Sequence, residues 1–392
     1  MDQTYDVVVA GGGVIGSAIA YFLGNNGDFD GRVLVVEPDP SYAECSTTRS
    51  GGSIRQQFST PENIAMSLFG IEFLRAAGEH LMVGGEAPDV GLNEGGYLFL
   101  ASEAGRAVLE ANHAVQLAHG ADTVLLEPAA LTARFPWLST EGVALGSFGL
   151  SGEGWFDPET LLHAFRRKAR ALGAAYLKDR VIDLKLDKAR ITRVVLASGD
   201  EISCGAFVNA SGPRAGEVAA MAGIDLPVRP RKRNVYVFDC REALAGVPLM
   251  IDPGGVYVRP EGRQYICGVS PPEDEDPDCL DLDVEYRWFE EIVWPALAAR
   301  VPAFAAIKQT SAWAGHYAYN TFDQNAVIGP HPEIGNFYFA NGFSGHGLQQ
   351  SPATGRAITE LIAHGGFRSL DLTRFGYARF AGNAPVRELN VV

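Results

Sequence analysis

The chain has 392 residues, 47% apolar and 20% charged, which excludes a disordered, fibrous or coiled-coil protein and leaves length for two or three domains. Asp and Glu outnumber Lys and Arg by 47 to 32, and a net charge of −15 argues against a nucleic-acid partner. Glycine is in excess at 45 residues, about 11% against a usual ~7%, so many tight turns or close backbone approaches are expected.

Tyr5-Asp-Val-Val-Val-Ala10 is a continuous β-branched run, the pattern of a buried parallel strand. Gly11-Gly-Gly-Val-Ile-Gly16 follows, then a helix from Ser17 to Leu23 ended by Gly24-Asn-Asn-Gly27. Arg32-Val-Leu-Val-Val-Glu37 is a second buried strand ending in an acid. A glycine- and hydroxyl-rich loop spans Ser46 to Ser53, and a helix runs from Pro61 to Arg75. Region 90–150 is harder to read, with a strand at Gly96–Leu100 and a helix around Glu103 to His119. Asp157-Pro158 reads as an N-cap with proline at the first helical position, opening a helix to Leu172. Its Arg166, Arg167, Lys168 and Arg170 are expected on a solvated face. Strands follow at Val181–Leu186, Arg193–Ala197 and Ala206–Ala210, then hairpins from 228 to 270. An acidic loop, Pro271 to Asp283, precedes a helix from Val284 to Leu297 and a strand from Gln309 to Trp313. The chain closes with strand Phe337–Ala340, a glycine loop and a helix from Ala353 to His364, opened by Ser351-Pro352.

Five widely spaced cysteines with no CxxC pair read as reduced thiols. The apolar run Val14 to Leu23 is too short to span a bilayer, and the start leaves no room for a cleavable leader. A cytoplasmic protein with no membrane span is therefore expected. The eight histidines form no HxxxH or HxH cluster, so no metal site is expected.

Gly11, Gly13 and Gly16 form GxGxxG between a strand and a helix. The first glycine permits the tight turn, the second lets backbone approach a pyrophosphate, and the third allows close helix–strand packing. Val14 and Ile15 complete that turn. Glu37, 21 residues after Gly16, can accept hydrogen bonds from ribose hydroxyls. This unit predicts an adenine dinucleotide without separating NAD from FAD. Asn341-Gly-Phe-Ser-Gly-His-Gly-Leu-Gln-Gln350 favours a flavin, because glycine backbone and a helix N-terminus would face a flat ring whose reduced form carries negative charge.

These residues resemble the D-amino-acid oxidase-type flavoproteins, the family of glycine oxidase, sarcosine oxidase and dimethylglycine dehydrogenase. The resemblance rests on the Gly11–Gly16 turn with Glu37, the loop Cys45-Ser-Thr-Thr-Arg-Ser-Gly-Gly-Ser-Ile-Arg-Gln-Gln-Phe58, Val208-Asn-Ala-Ser-Gly-Pro213 and Gly342-Phe-Ser-Gly-His-Gly347. Ser53–Phe58 with Pro61-Glu-Asn63, Trp313-Ala-Gly315 and Tyr319–Asn325 are similar to the FAD-dependent oxidoreductase-domain branch, which mixes amine oxidases with assembly factors. The resemblance implies an α/β protein with a Rossmann-like FAD-binding domain and a mixed-sheet α+β substrate domain. The expected division is 1–86, 151–225 and 316–392 for the first, and 87–150 and 226–315 for the second. It also implies non-covalent FAD near Ser46, Thr47, Arg49, Ser50, Gly51, Gly52, Val181, Ala210, Ser211, Gly212, Gly315, Gly342, Gly345, His346, Gly347, Leu348 and Gln349.

Family chemistry implies hydride transfer from a carbon beside an amine to flavin N5, then imine hydrolysis. Arg55 matches the arginine that holds substrate carboxylate, and Tyr257 the substrate-facing tyrosine. Arg259 is a candidate second anchor, while His346 and Gln349 lie in the flavin loop. Three positions depart from the family. Ile266 stands where an oxygen-activating lysine is expected, Gln349 replaces a second lysine, and Tyr317 a carboxylate-binding arginine. His316 falls near the position of a flavin-linking cysteine. Asp323 is expected to fix loop geometry. The basic run Arg229-Pro-Arg-Lys-Arg233 reads either as a solvated or ion-paired edge, or as a site for an anionic substrate or a steering patch. The leading expectation is an FAD-dependent amine oxidase that cleaves an N-substituted glycine or similar secondary amino acid with O2, giving H2O2. The alternatives are a dehydrogenase passing electrons to a quinone or protein, and a non-catalytic FAD-binding assembly factor.

Overall fold

The computed structural model describes residues 3–389. Its first half contains β1 (Gln3–Ala10), α1 (Val14–Gly24), β2 (Val33–Glu37), β3 (Ser53–Ile54), α2 (Pro61–Arg75), α3 (Ala77–His80), β4 (Tyr97–Ala101), α4 (Arg106–Ala118), β5 (Thr123–Leu126), α5 (Pro128–Arg134), β6 (Leu145–Gly149), β7 (Gly154–Trp155), α6 (Pro158–Ala171) and β8 (Ala175–Lys178). Then come β9 (Val181–Asp187), β10 (Arg190–Leu196), β11 (Glu201–Asn209), α7 (Ala215–Ala220), β12 (Val228–Asp239), β13 (Leu249–Ile251), β14 (Tyr257–Glu261), β15 (Gln264–Gly268), α8 (Trp294–Arg300), β16 (Lys308–Asn320), β17 (Val327–Pro330), β18 (Phe337–Asn341), α9 (Gly347–His364) and α10 (Ala378–Ala381).

Two eight-stranded sheets carry the fold. In the first, β1 lies between β2 and β11 and is parallel to both; β8 and β18 extend it in parallel, and β17, β10 and β9 add antiparallel edges. Val7 and Val9 of β1 pack under α1, α6 and α9, while Val8 and Ala10 pack toward β9, β10 and α7. Burial on both faces is why this strand reads as an unbroken apolar run, with roughly 1.5–3 kcal/mol contributed per buried valine. The second sheet runs β16-β12-β15-β14-β13-β4-β6-β5 and is antiparallel except between β13 and β4.

Several sequence expectations need correction. The strand expected at Gln309–Trp313 continues to Asn320, paired with β12 throughout, so the expected domain border at residue 315 falls inside β16. The helix expected from Val284 starts later. Asn234 Oδ1 accepts the Glu285 N–H, the Tyr236 hydroxyl donates to the Glu285 carbonyl, and a π-turn at Phe289–Val293 leads into α8. Pro295 near the start of α8 has no N–H to continue a regular ladder, which is consistent with the widened turn. The last long helix begins at Gly347 rather than after Pro352. Pro352 cannot donate to the Leu348 carbonyl, and the Ser351 hydroxyl donates there instead at 2.9 Å. Arg166 is not on a solvated face; its guanidinium lies over the rings of Tyr42 and Tyr176.

Two buried acids fasten the C-terminal segment. Asp323 receives Nε and Nη2 of Arg379 at 2.7 and 3.0 Å and the Val386 N–H at 3.0 Å. Glu388 accepts the hydroxyls of Ser59 and Thr60, both at 2.7 Å, and so ties the tail to the residues before α2. Among the described residues no helix is long and apolar enough to cross a membrane.

Asp323 and Arg379 are 0% and 5% exposed, so removing one partner strands a buried charge. Arg379→Met should lower stability by ~3–5 kcal/mol, read as a lower urea midpoint of the FAD-loaded protein. An unchanged midpoint would show that the pair does not hold the tail.

Candidate active site

The turn after β1 is set by close backbone packing. Gly11 has φ +100, and a Cβ there would lie 2.4 Å from the Ala210 carbonyl oxygen. A Cβ at Gly16 would lie 1.9 Å from the Gly11 carbonyl oxygen. Both positions therefore require glycine, and the loop can sit directly against the end of β11. Helix α1 opens at Val14 with no acid in its first turn and no side-chain cap on Gly13. Its first N–H groups lack helical partners, which suits an anion. Glu37 accepts the Gly12 N–H at 2.7 Å and the Asp39 N–H at 2.9 Å, which fixes its carboxylate beside the turn.

A cavity of about 730 Å³ extends from this turn and Glu37 to Tyr97 and Tyr257 of the second sheet. Of the expected cofactor residues, Gly11, Gly13, Val14, Ile15, Glu37, Ser46, Thr47, Arg49, Ser50, Gly51, Val181, Ala210, Ser211, Gly212, Gly315, Gly345, His346, Gly347, Leu348 and Gln349 line it. Gly16, Gly52 and Gly342 do not line it. Gly16 packs behind the turn, Gly52 against the Phe156 carbonyl, and Gly342 against Val228 and Asn320. The cavity fits FAD in its chemistry. Ser46 Oγ and Tyr42 Oη are buried at its wall with no hydrogen-bond partner among the described residues. Such groups are ready to meet a polar ligand.

All five expected substrate-side residues, Arg55, Tyr257, Arg259, His346 and Gln349, line the same cavity. Arg55 is only 3% exposed. Its guanidinium lies 4.2 Å from the Phe58 ring centroid and 5.1 Å from that of Phe99. Nη1 donates to the Gln57 carbonyl at 3.0 Å, and Nη2 lies 3.0 Å from His346 Nε2. Arginine can only donate, so Nε2 accepts and the neutral imidazole carries its proton on Nδ1. Burial, with Arg55 as a second cause, pushes His346 well below the usual histidine range and keeps it neutral. Gln349 Oε1 accepts the backbone N–H of Arg55 at 2.8 Å. The start of α9 thus grips Arg55 through both His346 and Gln349.

Arg259 is arranged differently from the second carboxylate anchor expected of it. Nε and Nη2 donate to the Gly51 carbonyl at 2.8 and 2.6 Å, and Nη1 donates to the Pro260 carbonyl and Glu261 at 2.7 and 2.5 Å. Four of the five donors of a guanidinium are thereby committed to protein, and the side chain clamps the Gly51 loop to β14. Arg49 is likewise held by the carbonyls of Ala43 and Ala314. Tyr257 and Tyr317 are raised by burial and stay neutral phenols. Ile266 is buried in an apolar patch with Val235, Val237 and Trp313, and its Cδ1 would lie 3.9 Å from a Cβ on Gly51. His316 Nε2 is 3.2 Å from the Asp281 carbonyl. The basic run is ion-paired to the acidic loop, Arg231 with Asp278, Lys232 with Asp281 and Glu285, and Arg233 with Asp276. Arg233 also lines the cavity, and its Nε is buried with no hydrogen-bond partner among the described residues.

Two residues beside Arg55 escaped the sequence reading. Tyr97 lines the cavity, with Arg55 5.9 Å from its ring centroid. Glu153 is fully buried directly behind the Arg55 segment. The only signal was an acid between glycines in Ser151-Gly-Glu-Gly154, within a stretch whose strands are too short to show a period.

Residues 6–361 match the family described as FAD dependent oxidoreductase. The chain is 46% identical over 425 aligned residues to FAD-dependent oxidoreductase domain-containing protein 1 of Xenopus laevis, covering 99% of this chain and 85% of that protein. It is 27% identical to glycine oxidase of Geobacillus kaustophilus, covering 98% of this chain and 100% of that protein. The crystal structure of L-proline dehydrogenase from P. horikoshii superposes with a TM-score of 0.87 at 28% identity, covering 98% of this chain and 100% of that one.

The turn geometry can be tested by FAD retention. Gly11→Ala places a methyl group against the Ala210 carbonyl, whereas Gly27 has nothing within 4 Å of an added Cβ. Gly11→Ala should weaken FAD binding at least about tenfold, ~1.4 kcal/mol, measured by flavin fluorescence on reconstitution of apoprotein, and Gly27→Ala should leave it unchanged. Equal affinities in the two variants would contradict the assignment of this turn.

Proposed function

The chain belongs to the family of FAD-dependent oxidoreductases, and from that premise we propose that it oxidises the C–N bond of an N-substituted glycine or another secondary amino acid. The observation that carries this reading is Arg55: a buried cation, walled by aromatic rings, in the same cavity as the dinucleotide turn. A guanidinium fork suits a carboxylate held by two parallel hydrogen bonds. Neutral His346 orients that fork without adding charge, and Gln349 fixes the backbone beneath it. Tyr97 and Tyr257 would wall the carbon and nitrogen of the substrate. Similarity to a glycine oxidase and to an L-proline dehydrogenase supports a substrate with an amine next to a carboxylate.

When bound, FAD supplies the hydride acceptor for the carbon beside the amine. The protein's part is to bring that carbon to the ring and to exclude water from it. None of the residues placed here is a strong base, since Nε2 of His346 accepts from Arg55. The amine must therefore bind with its nitrogen lone pair available, so kcat/KM should rise with pH up to neutrality as the free amine loses its proton. The substrate leaves as an imine, which water hydrolyses to an aldehyde or glyoxylate and the smaller amine. O2 is the proposed electron acceptor, with H2O2 as product.

One observation favours a second reading, transfer of electrons to a quinone or protein. The position expected for an oxygen-activating lysine is Ile266, set in an apolar patch beside the Gly51 loop. Stopped-flow reoxidation separates the two: a slow reaction with O2 favours the dehydrogenase.

Anaerobic mixing with a panel of secondary amino acids should bleach the visible flavin absorbance, and a panel with no bleaching would overturn the proposal. Arg55→Ala should retain FAD but lose roughly a hundred- to a thousandfold in kcat/KM, the order expected for removing one partner of a desolvated charge pair. Unchanged kcat/KM would remove Arg55 from substrate binding.

A further inference from the structure

Glu153 is a fully buried carboxylate that the proposed oxidation does not use. It immediately precedes β7, the short strand paired with β3, and so lies behind the segment that carries Arg55. Its Oε1 accepts the backbone N–H of Gln56 at 2.5 Å and of Gln57 at 3.0 Å, and its Oε2 accepts Gln57 Nε2 at 2.7 Å. Arg55 in turn donates to the Gln57 carbonyl. Gln57 therefore joins the buried anion to the buried cation.

The other charged and titratable groups around Glu153 are accounted for. Tyr97 is pushed up to about 12, chiefly by burial, and is neutral. Glu94 accepts the Gly152 N–H and is paired with Arg75 at the surface. Asp122 accepts the Ser151 hydroxyl and is exposed. Burial disfavours the ionised form of Glu153, while the Gln56 and Gln57 N–H donors and, more weakly, the Arg55 cation favour it.

A substrate carboxylate on Arg55 upsets this balance. Two anions would then share one buried cation at low dielectric, where like charges are costly. We propose that Glu153 is a positioning residue for Arg55 that takes up one proton from solvent when a carboxylate docks there. The only bond formed is the O–H of Glu153, and no electrons move. Burial already holds the Glu153 carboxyl at about 7 despite its N–H donors, so a nearby second anion would carry protonation above neutral pH. The ionised acid opposes the incoming carboxylate, so affinity should fall as pH rises past about 7.

This inference rests on the reading of Arg55 as the carboxylate anchor, and the test separates the two. The probe is methoxyacetate, an ether that lacks the oxidisable amine, added to the FAD-loaded protein with a pH indicator. Wild type should take up approaching one proton per ligand bound above neutral pH, and its Kd should rise about tenfold per pH unit there. In Glu153→Gln the amide oxygen can keep the two backbone N–H bonds without charge. That variant should bind methoxyacetate with no uptake and no pH dependence. Should the variant fail to fold, the wild-type infrared difference spectrum on binding gives the same answer through a new carboxylic-acid C=O stretch. Binding without uptake, or uptake that persists in Glu153→Gln and so points to His346, overturns the role of Glu153 alone. Failure of methoxyacetate to bind overturns the anchor reading and this inference with it.

Discussion

The cost of holding one cation away from water governs the Arg55 end of the cavity. Arg55 is 3% exposed, and a guanidinium at that depth is tolerated only when its charge and donors are met. Each neighbour answers that requirement. The faces of Phe58 and Phe99 supply negative ring potential, His346 offers a lone pair and Gln57 a carbonyl. Because His346 and Gln349 lie at the start of α9, and Glu153 stands beside the β3–β7 pair, two distant parts of the chain hold the segment that carries Arg55. Rigid placement of a charged group next to a cofactor cavity is what a positioning mechanism needs.

The other end of the cavity depends on backbone rather than charge. The Gly11 and Ala210 backbones touch, which draws the ends of β1 and β11 together and leaves the N-terminus of α1 facing the cavity. Surface charge plays little part at either end. The chain carries a net charge of −15, yet the site is built around an arginine, because a desolvated pair outweighs screened charges on the exterior. The basic residues of β12 are neutralised locally by the acidic loop.

Features encoded by short, local patterns were legible in the sequence. The buried run of β1, the glycine turn, the acid ending β2 and the helix over Pro61–Arg75 all follow from periodicity and turn chemistry. Asp157 caps α6, as its place before Pro158 implied, by accepting the N–H groups of Glu159 and Thr160. Features settled by distant partners were not legible. The start of α9 was masked by Pro352, whose missing donor is replaced by a serine hydroxyl one residue earlier. The late start of the helix near residue 284 depends on side chains of β12 that seize the Glu285 backbone. Glu153 gives no local signal beyond its place between two glycines, since its meaning comes from contacts nearly a hundred positions away. Arg259 was visible as a candidate, but its commitment to Gly51 could be seen only in three dimensions.

The central claim is that Arg55 receives the substrate carboxylate within reach of the flavin. A crystal structure of the FAD-loaded protein soaked with methoxyacetate tests this most directly. The account predicts the carboxylate in hydrogen-bond contact with the Arg55 guanidinium, with the adjacent methylene carbon facing the flavin ring between Tyr97 and Tyr257. A carboxylate bound at another site, with Arg55 still turned to protein partners alone, would contradict it.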